Sequence, residues 1–231
     1  MAKKLWGGRF KKNINPEFFE FQKSIQYDYK LAKHDISHSK IHILALWRFG
    51  LLTKIEFKKL FDALDSIYRE IEKVGEKSIL NNLDPCKDIN VEDIHTYIQD
   101  RVEKKVGPSL ALKLHTLRSR NDQVVFDEKY YCREESLNIV GVLLALEKSF
   151  ISLAEKYKNR YFIGYTHTQR AQAIKFSDYL YAYLSMFYRD HDRINRFYDN
   201  LIVYVGAGAL TGSSLTRQSY NSAIDEFLKN K

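Results

Sequence analysis

The chain has 231 residues, 45% of them hydrophobic, and 37 Lys and Arg against 29 Asp and Glu give a formal net charge of +8. That is enough apolar material for one or two domains with a real core, and the positive balance favours an anionic partner. The basic residues are scattered in short pairs such as Lys11-Lys12, Lys58-Lys59 and Lys104-Lys105, which read as solvated helix faces and speak against a nucleic-acid stripe.

Two cysteines, Cys86 and Cys132, give no disulfide framework and fit a reducing compartment. The opening "MAKKLWGGRF" has charge but no apolar core, so it does not read as a secretory signal. The longest apolar run, "IVGVLLAL", is too short to span a bilayer. The expectation is a cytoplasmic protein with neither a membrane nor a nucleic-acid partner.

Three prolines, Pro16, Pro85 and Pro108, all lie in the first half, and a proline-free remainder permits very long helices. "TKIEFKKLFDALDSIYREIEKVG" opens with a capping box, Thr53 and Glu56. Leu60, Leu64, Ile67 and Ile71 follow at helical spacing, and Gly75 stops the helix. "INVEDIHTYIQDRVEKKVGP" repeats the pattern with Val91, Ile94, Ile98 and Val102, and stops at Gly107-Pro108. Beyond "HTLRSRND", the residues Ile139, Leu143, Leu146, Phe150, Leu153 and Tyr157 alternate steps of four and three, a heptad spacing. The polar stretch "GYTHTQRAQ" (Gly164 to Gln172) interrupts it. A second long element carries Phe176, Leu180, Tyr183 and Phe187, then Ile194, Phe197 and Leu201. "VGAGALTGSS" reads as a glycine-rich loop, and a short helix closes the chain.

With no strand-type alternation, this pattern predicts an all-α protein. Residues 1–112 form a small helical domain with an irregular N-terminal arm, and residues 113–231 form the first long helices of a bundle. The bundle is incomplete, because two striped helices can bury their stripes only against each other, while a bundle takes about four.

Several polar clusters fall between these helices. "SRND" offers an arginine fork, Arg120, and an amide, Asn121, at the start of a helix. Both suit a carboxylate, although Ser119, Asn121 or Asp122 equally suits a helix N-cap. "GYTHTQ" supplies Thr166, His167 and Gln169, and a histidine can move protons near neutral pH. His34, His38 and His42 fall on one helix face, but no cysteine or second cluster supports a metal there. "GAGALTGSS" lacks the spacing of a dinucleotide or nucleotide loop.

Taken in order, "LWGGRF" (Leu5 to Phe10), "SIQYD" (Ser24 to Asp28), "EDIHTYIQ" (Glu92 to Gln99), "KLHTLRSRNDQVV" (Lys113 to Val125) and "GYTHTQRAQ" closely resemble argininosuccinate lyase, of the fumarase/aspartase superfamily. The resemblance covers essentially the whole chain and about the N-terminal half of the family's length. It implies a homotetramer around a bundle of long helices, with each active site built from three subunits. Argininosuccinate is then split into arginine and fumarate without cofactor or metal. By matching position, His167 is the catalytic histidine. Ser24, Asn121 and Thr166 bind substrate, Arg120 and Ser119 stand beside Asn121, Gln169 steadies the substrate, and Asp93 and His95 lie near the same site.

The sequence also departs from the family pattern. The loop "SSxMPQKKN", which carries a serine opposite the histidine and groups that bind carboxylates, is not in these 231 residues. Leu117 stands where the family has glycine in "HTGRSRND", a position suited to positive φ. Thr168 and Ala173 replace leucine and proline in "GYTHLQRAQP", and Tyr204-Val205 replaces Pro-Leu before "GAGAL". The departures imply that the chain alone is inactive. It would then be the N-terminal half of a lyase, whether a fragment or one piece of a split enzyme, or a non-catalytic remnant or oligomerising helical scaffold of the kind seen in crystallin relatives. A third reading is another lyase that releases fumarate.

Overall fold

The computed structural model describes residues 15–83, 91–208, 212–215 and 217–229. "LWGGRF", Lys11-Lys12, Pro85, Cys86 and part of the glycine-rich segment lie outside the described residues. The rest falls into two compact units, one within 1–128 and 203–231, the other Lys129–Ile202.

The first unit is helical. Asn15 caps α1 (Pro16–Gln22), and Ser24 precedes the single turn α2 (Ile25–Asp28). In α3 (Ala32–Arg48) almost every side chain is buried, including the polar His34, Asp35, Ser37, His38, Ser39, Lys40 and His42. A helix buried on all sides is normally apolar, so its polar residues must find partners inside the fold. The predicted capping box starts α4 (Lys54–Val74). The Thr53 hydroxyl accepts from the Glu56 N–H, the Glu56 carboxylate accepts from the Thr53 N–H, and Gly75 ends the helix at φ 82°.

Leu60, Leu64, Ile67 and Ile71 are buried as their spacing predicts. The short α5 (Ser78–Asn81) follows. Asp93 caps α6 (Ile94–Val106), which buries Ile94, Ile98 and Val102. After α7 (Pro108–Ala111) and a 3₁₀ turn over Leu112–His115, the chain enters α8 (Arg120–Lys156). The predicted last helix is α10 (Arg217–Lys229), which packs on α3 and buries Tyr220, Ala223 and Ile224.

The second unit holds most of α8 and all of α9 (Phe176–Asn200). Phe150 meets Phe187 edge-to-face at 5.2 Å between centroids. The Arg133 guanidinium lies 4.0 Å from the Tyr198 ring and donates to the carbonyls of Tyr198 and Leu201. Much of the heptad stripe stays exposed within the chain, Ile139 at 52% and neighbouring Val142 at 72%. By length and composition α8 could cross a membrane, which the count of one short apolar run did not anticipate.

The expectation of no strands is corrected here. Tyr161–Thr166 (β1) and Gln169–Lys175 (β2) pair antiparallel between the two long helices. A register shift between Ile163 and Tyr165 places a bulge at Gly164. The hairpin lacks the apolar–polar alternation of a half-buried strand because most of its residues are exposed on both faces.

Candidate active site

One group of predicted residues assembles in the first unit. The backbone N–H groups of Ser24 and Ile25 both donate to the Glu92 carbonyl, at 2.8 and 3.1 Å. The Ser24 hydroxyl donates to Asp28 at 2.6 Å, and the other Asp28 oxygen accepts from the Ile94 N–H at 3.2 Å. Burial raises the Asp28 pKa above the usual carboxylate value, although the Ser24 and Ile94 bonds pull it down. The two segments "SIQYD" and "EDIH" are thus tied together. Asp93 accepts from the Thr96 N–H at 2.7 Å as the α6 cap, and its carboxylate lies 3.4 Å from the Arg120 guanidinium. Ser24, Asp93, Arg120 and the exposed Asn121 therefore share one neighbourhood, reached from three separate stretches of chain.

The segment before α8 is unusually constrained. Leu117 has φ 57°, a left-handed conformation that costs a non-glycine residue about 1–2 kcal/mol. Ser119 is the cap of α8: its hydroxyl accepts from the Asn121 N–H at 3.2 Å, and Asp122 accepts from the Ser119 N–H at 2.9 Å. The same Asp122 oxygen accepts from the Gly208 N–H at 3.1 Å, so the glycine-rich loop binds a carboxylate of its own chain. The capping reading of "SRND" holds for Ser119 and Asp122, and leaves Arg120 and Asn121 for other work.

Beneath this surface lies a buried polar network. Asp35 accepts from His95 Nδ1 at 2.9 Å and from the Gln123 amide at 2.7 Å. Burial opposes ionisation of Asp35, but His95 and Arg118 hold its pKa below the usual carboxylate range. Asp127 is pushed well above its ordinary value by burial and by the charge of Asp35. His38, stacked on Phe126 at 4.6 Å, is held neutral by burial and by Arg118.

Asp35, His38 and Asp127 place their ligand atoms within 4.8 Å of one another, the spacing of a metal site. Asp35 is already engaged by His95 and Gln123, and the Arg118 guanidinium acts on all three groups, which opposes a further cation there. His34 and His42, the other two of the sequence trio, are not in this group; His42 bonds elsewhere, to Thr116 and Tyr220.

Thr166, His167 and Gln169 form a second group, in the other unit. Thr166 pairs with Gln169, so His167 and Thr168 are a two-residue hairpin loop. Both have positive φ, 49° and 64°, as a type I′ turn requires, and the β-branched Thr168 is a residue that such a conformation normally avoids. Leu117, His167 and Thr168 are the described non-glycine residues with positive φ. All three lie in the two segments that carry the predicted site, and backbone strain concentrates at functional positions.

A family model described as lyase matches residues 8–229. The chain belongs to this lyase family. It is 40% identical over 212 residues to argininosuccinate lyase of Thermoanaerobacter sp. (strain X514), covering 91% of this chain and 45% of that protein. Against argininosuccinate lyase of Legionella pneumophila it is 38% identical, covering 93% of this chain and 50% of the relative. The lyase chain thus spans about half the length of the curated relatives it matches. Among solved structures, an EDDS lyase in complex with formate superposes with a TM-score of 0.69 at 20% identity, over 90% of this chain and 39% of that one. Class II fumarase from Schistosoma mansoni gives 0.68 at 14% identity, over 87% and 45%. These two likenesses establish the fumarase/aspartase fold for the lyase chain.

Asp28, Asp35, Arg118, Gln123 and Asp127 were not singled out from the sequence. Asp28, Arg118 and Gln123 lie inside the motifs "SIQYD" and "KLHTLRSRNDQVV", whereas Asp35 and Asp127 carry no local signal.

Proposed function

We propose that this chain supplies half of an argininosuccinate lyase and takes part in cleaving argininosuccinate to arginine and fumarate, in the cytoplasm and without cofactor. The observation that carries the reading is the convergence of Ser24, Asp93, Arg120 and Asn121 in a chain about 40% identical to argininosuccinate lyases. Arg120 and Asn121, beside the start of α8, suit the carboxylates of the succinyl group. Asp93 suits the guanidinium. His167 acts in the proton transfers, with Thr166 and Gln169 holding the substrate.

The reaction is a β-elimination. A base takes the proton from the succinyl Cβ, the C–H pair becomes an aci-carboxylate, and the C–N bond then breaks. Its electron pair leaves on the guanidino nitrogen, which is protonated, and the carbon chain is released as fumarate. Most of α8 and all of α9 open the helical bundle, and its exposed stripe, Ile139 and Val142 included, is covered in a homotetramer or by a C-terminal half. Proton transfer takes two groups, and losing either costs about 10²–10⁴ in rate, so these 231 residues assayed by themselves are inactive or nearly so.

A second reading, a non-catalytic crystallin-like scaffold, is favoured by Leu117, whose half-buried side chain stands beside Arg118–Asn121. Titration of the chain with fumarate and with succinate, followed by amide NMR, separates the two. The lyase reading expects saturable shifts at Ser24, Arg120 and Asn121. A surface that shows none belongs to the scaffold.

A further inference from the structure

Tyr220 of α10 is fully buried, and its hydroxyl lies 3.0 Å from His42 Nδ1. The two rings stack at 5.9 Å with 12° between their planes. On the far side of the imidazole, His42 Nε2 lies 2.9 Å from the Thr116 carbonyl. A carbonyl only accepts, so Nε2 carries the proton. In a neutral ring Nδ1 is then a bare acceptor and takes the tyrosine hydroxyl. Burial and the nearby Arg118 hold the imidazole neutral. The two bonds therefore define one tautomer, and each depends on the other.

The bonded carbonyl belongs to the residue just before Leu117. A left-handed leucine persists only where its surroundings over-determine the backbone. Thr116 is held on one side of it by His42. Arg118 is held on the other by its bond to Ser39 of α3 at 3.0 Å. The glycine-rich segment completes the seat of Tyr220. A Cβ at Gly206, which has φ 111°, would meet the Tyr220 ring at 3.0 Å, so glycine there is what lets the ring lie against the backbone.

We infer that Tyr220 is a positioning residue of the candidate site. By fixing His42 as the Nε2–H tautomer it holds the Thr116 carbonyl, and through it the strained turn that presents Arg118 to Asn121. The inference rests on the anion-site reading for its function, but the positioning itself is separately measurable. Tyr220 touches no substrate in this account. It acts through His42, Thr116 and the turn.

The test is Tyr220→Phe in the full chain, which keeps the stacked ring and removes only the hydroxyl. Imidazole ¹⁵N NMR of wild type should show His42 protonated at Nε2 and bare at Nδ1. In Tyr220→Phe the ring should become a mixture of tautomers. The Leu117 backbone shifts should move away from left-handed values, and succinate should bind several-fold more weakly. Adding Leu117→Gly to Tyr220→Phe should restore binding, because glycine adopts the turn without an external restraint, whereas a merely destabilised core would not recover.

A wild-type His42 that is charged, or protonated at Nδ1, overturns the inference even if the variant fails to fold. So does a Tyr220→Phe protein with unchanged tautomer and unchanged Leu117 shifts. If wild type takes up no succinate, the lyase reading fails, while the tautomer and backbone measurements still decide the positioning.

Discussion

The Asp93 carboxylate caps α6 and at the same time lies 3.4 Å from the Arg120 guanidinium at the start of α8. One side chain thus does two jobs that mutation can separate. Asp93→Asn keeps an N-cap oxygen and should change stability by only a few tenths of a kcal/mol, whereas Asp93→Ala should lose about 1 kcal/mol. With the Asp93 charge gone, one negative charge fewer competes for Arg120, so Asp93→Asn should bind succinate more tightly than wild type and Arg120→Ala at least tenfold more weakly. Urea unfolding and NMR titration measure the two effects. Equal loss of stability in Asn and Ala variants would contradict the capping role.

Leu117 makes an unusual prediction about glycine. Gly is normally less favourable than Ala by about 0.5–1 kcal/mol. At Leu117, with φ 57°, the order should reverse. Leu117→Ala removes the side chain and keeps the strain, while Leu117→Gly removes both. The glycine variant should be the more stable by about 1 kcal/mol, read as the difference in denaturant midpoint at constant slope. The family's glycine at this place already suggested a positive φ. The backbone angle was legible in the sequence only because a departure from a known pattern drew attention to it.

Much of the fold was legible for the same kind of reason. The Thr53–Glu56 capping box and the Gly75 stop are local chemistry, and both stand as expected. The hairpin was not legible. Strand patterns are recognised by one apolar face, and "GYTHTQRAQ" has none in this chain. The buried network around Asp35 was hidden for the opposite reason. Asp35 and His38 lie on a helix that local pattern does not mark as buried, and it is the packing of α4, α6 and α10 around α3, with Gln123 and Phe126 of α8 against it, that encloses them.

His167 occupies a type I′ turn together with Thr168, and asparagine is at home in that conformation. His167→Asn should therefore leave the hairpin intact by amide NMR, with its cross-strand contacts between Thr166 and Gln169 retained. In a reconstituted lyase the same substitution should lower turnover by about 10²–10⁴. A variant that loses the hairpin would assign His167 a structural role first.

Acid should weaken the first unit through its histidines. Burial, with Arg118 and Arg120, lowers the His115 pKa from 6.5 to about 4. A histidine whose folded pKa is depressed binds its proton more readily in the unfolded chain, so stability falls as pH drops from about 6.5 towards 4. That displacement corresponds to roughly 3 kcal/mol if fully expressed. His38 and His42, also held neutral, act in the same direction. Asp127 acts in the opposite sense: with its raised pKa the folded state takes up a proton that the unfolded carboxyl has already lost over this range, so falling pH favours folding through it. His115→Gln should therefore show a shallower fall of unfolding free energy over this range, by up to about 1.4 kcal/mol per pH unit. An unchanged slope would place His115 in solvent.

The most direct test of the central claim is fumarate release from argininosuccinate, followed by ultraviolet absorbance. The chain is measured alone and then mixed with the C-terminal half of an argininosuccinate lyase. The account predicts no turnover by the chain alone, a clear rate on mixing, and loss of that rate with His167→Asn. Turnover by the chain alone, or a reconstituted rate that His167→Asn leaves untouched, would contradict it.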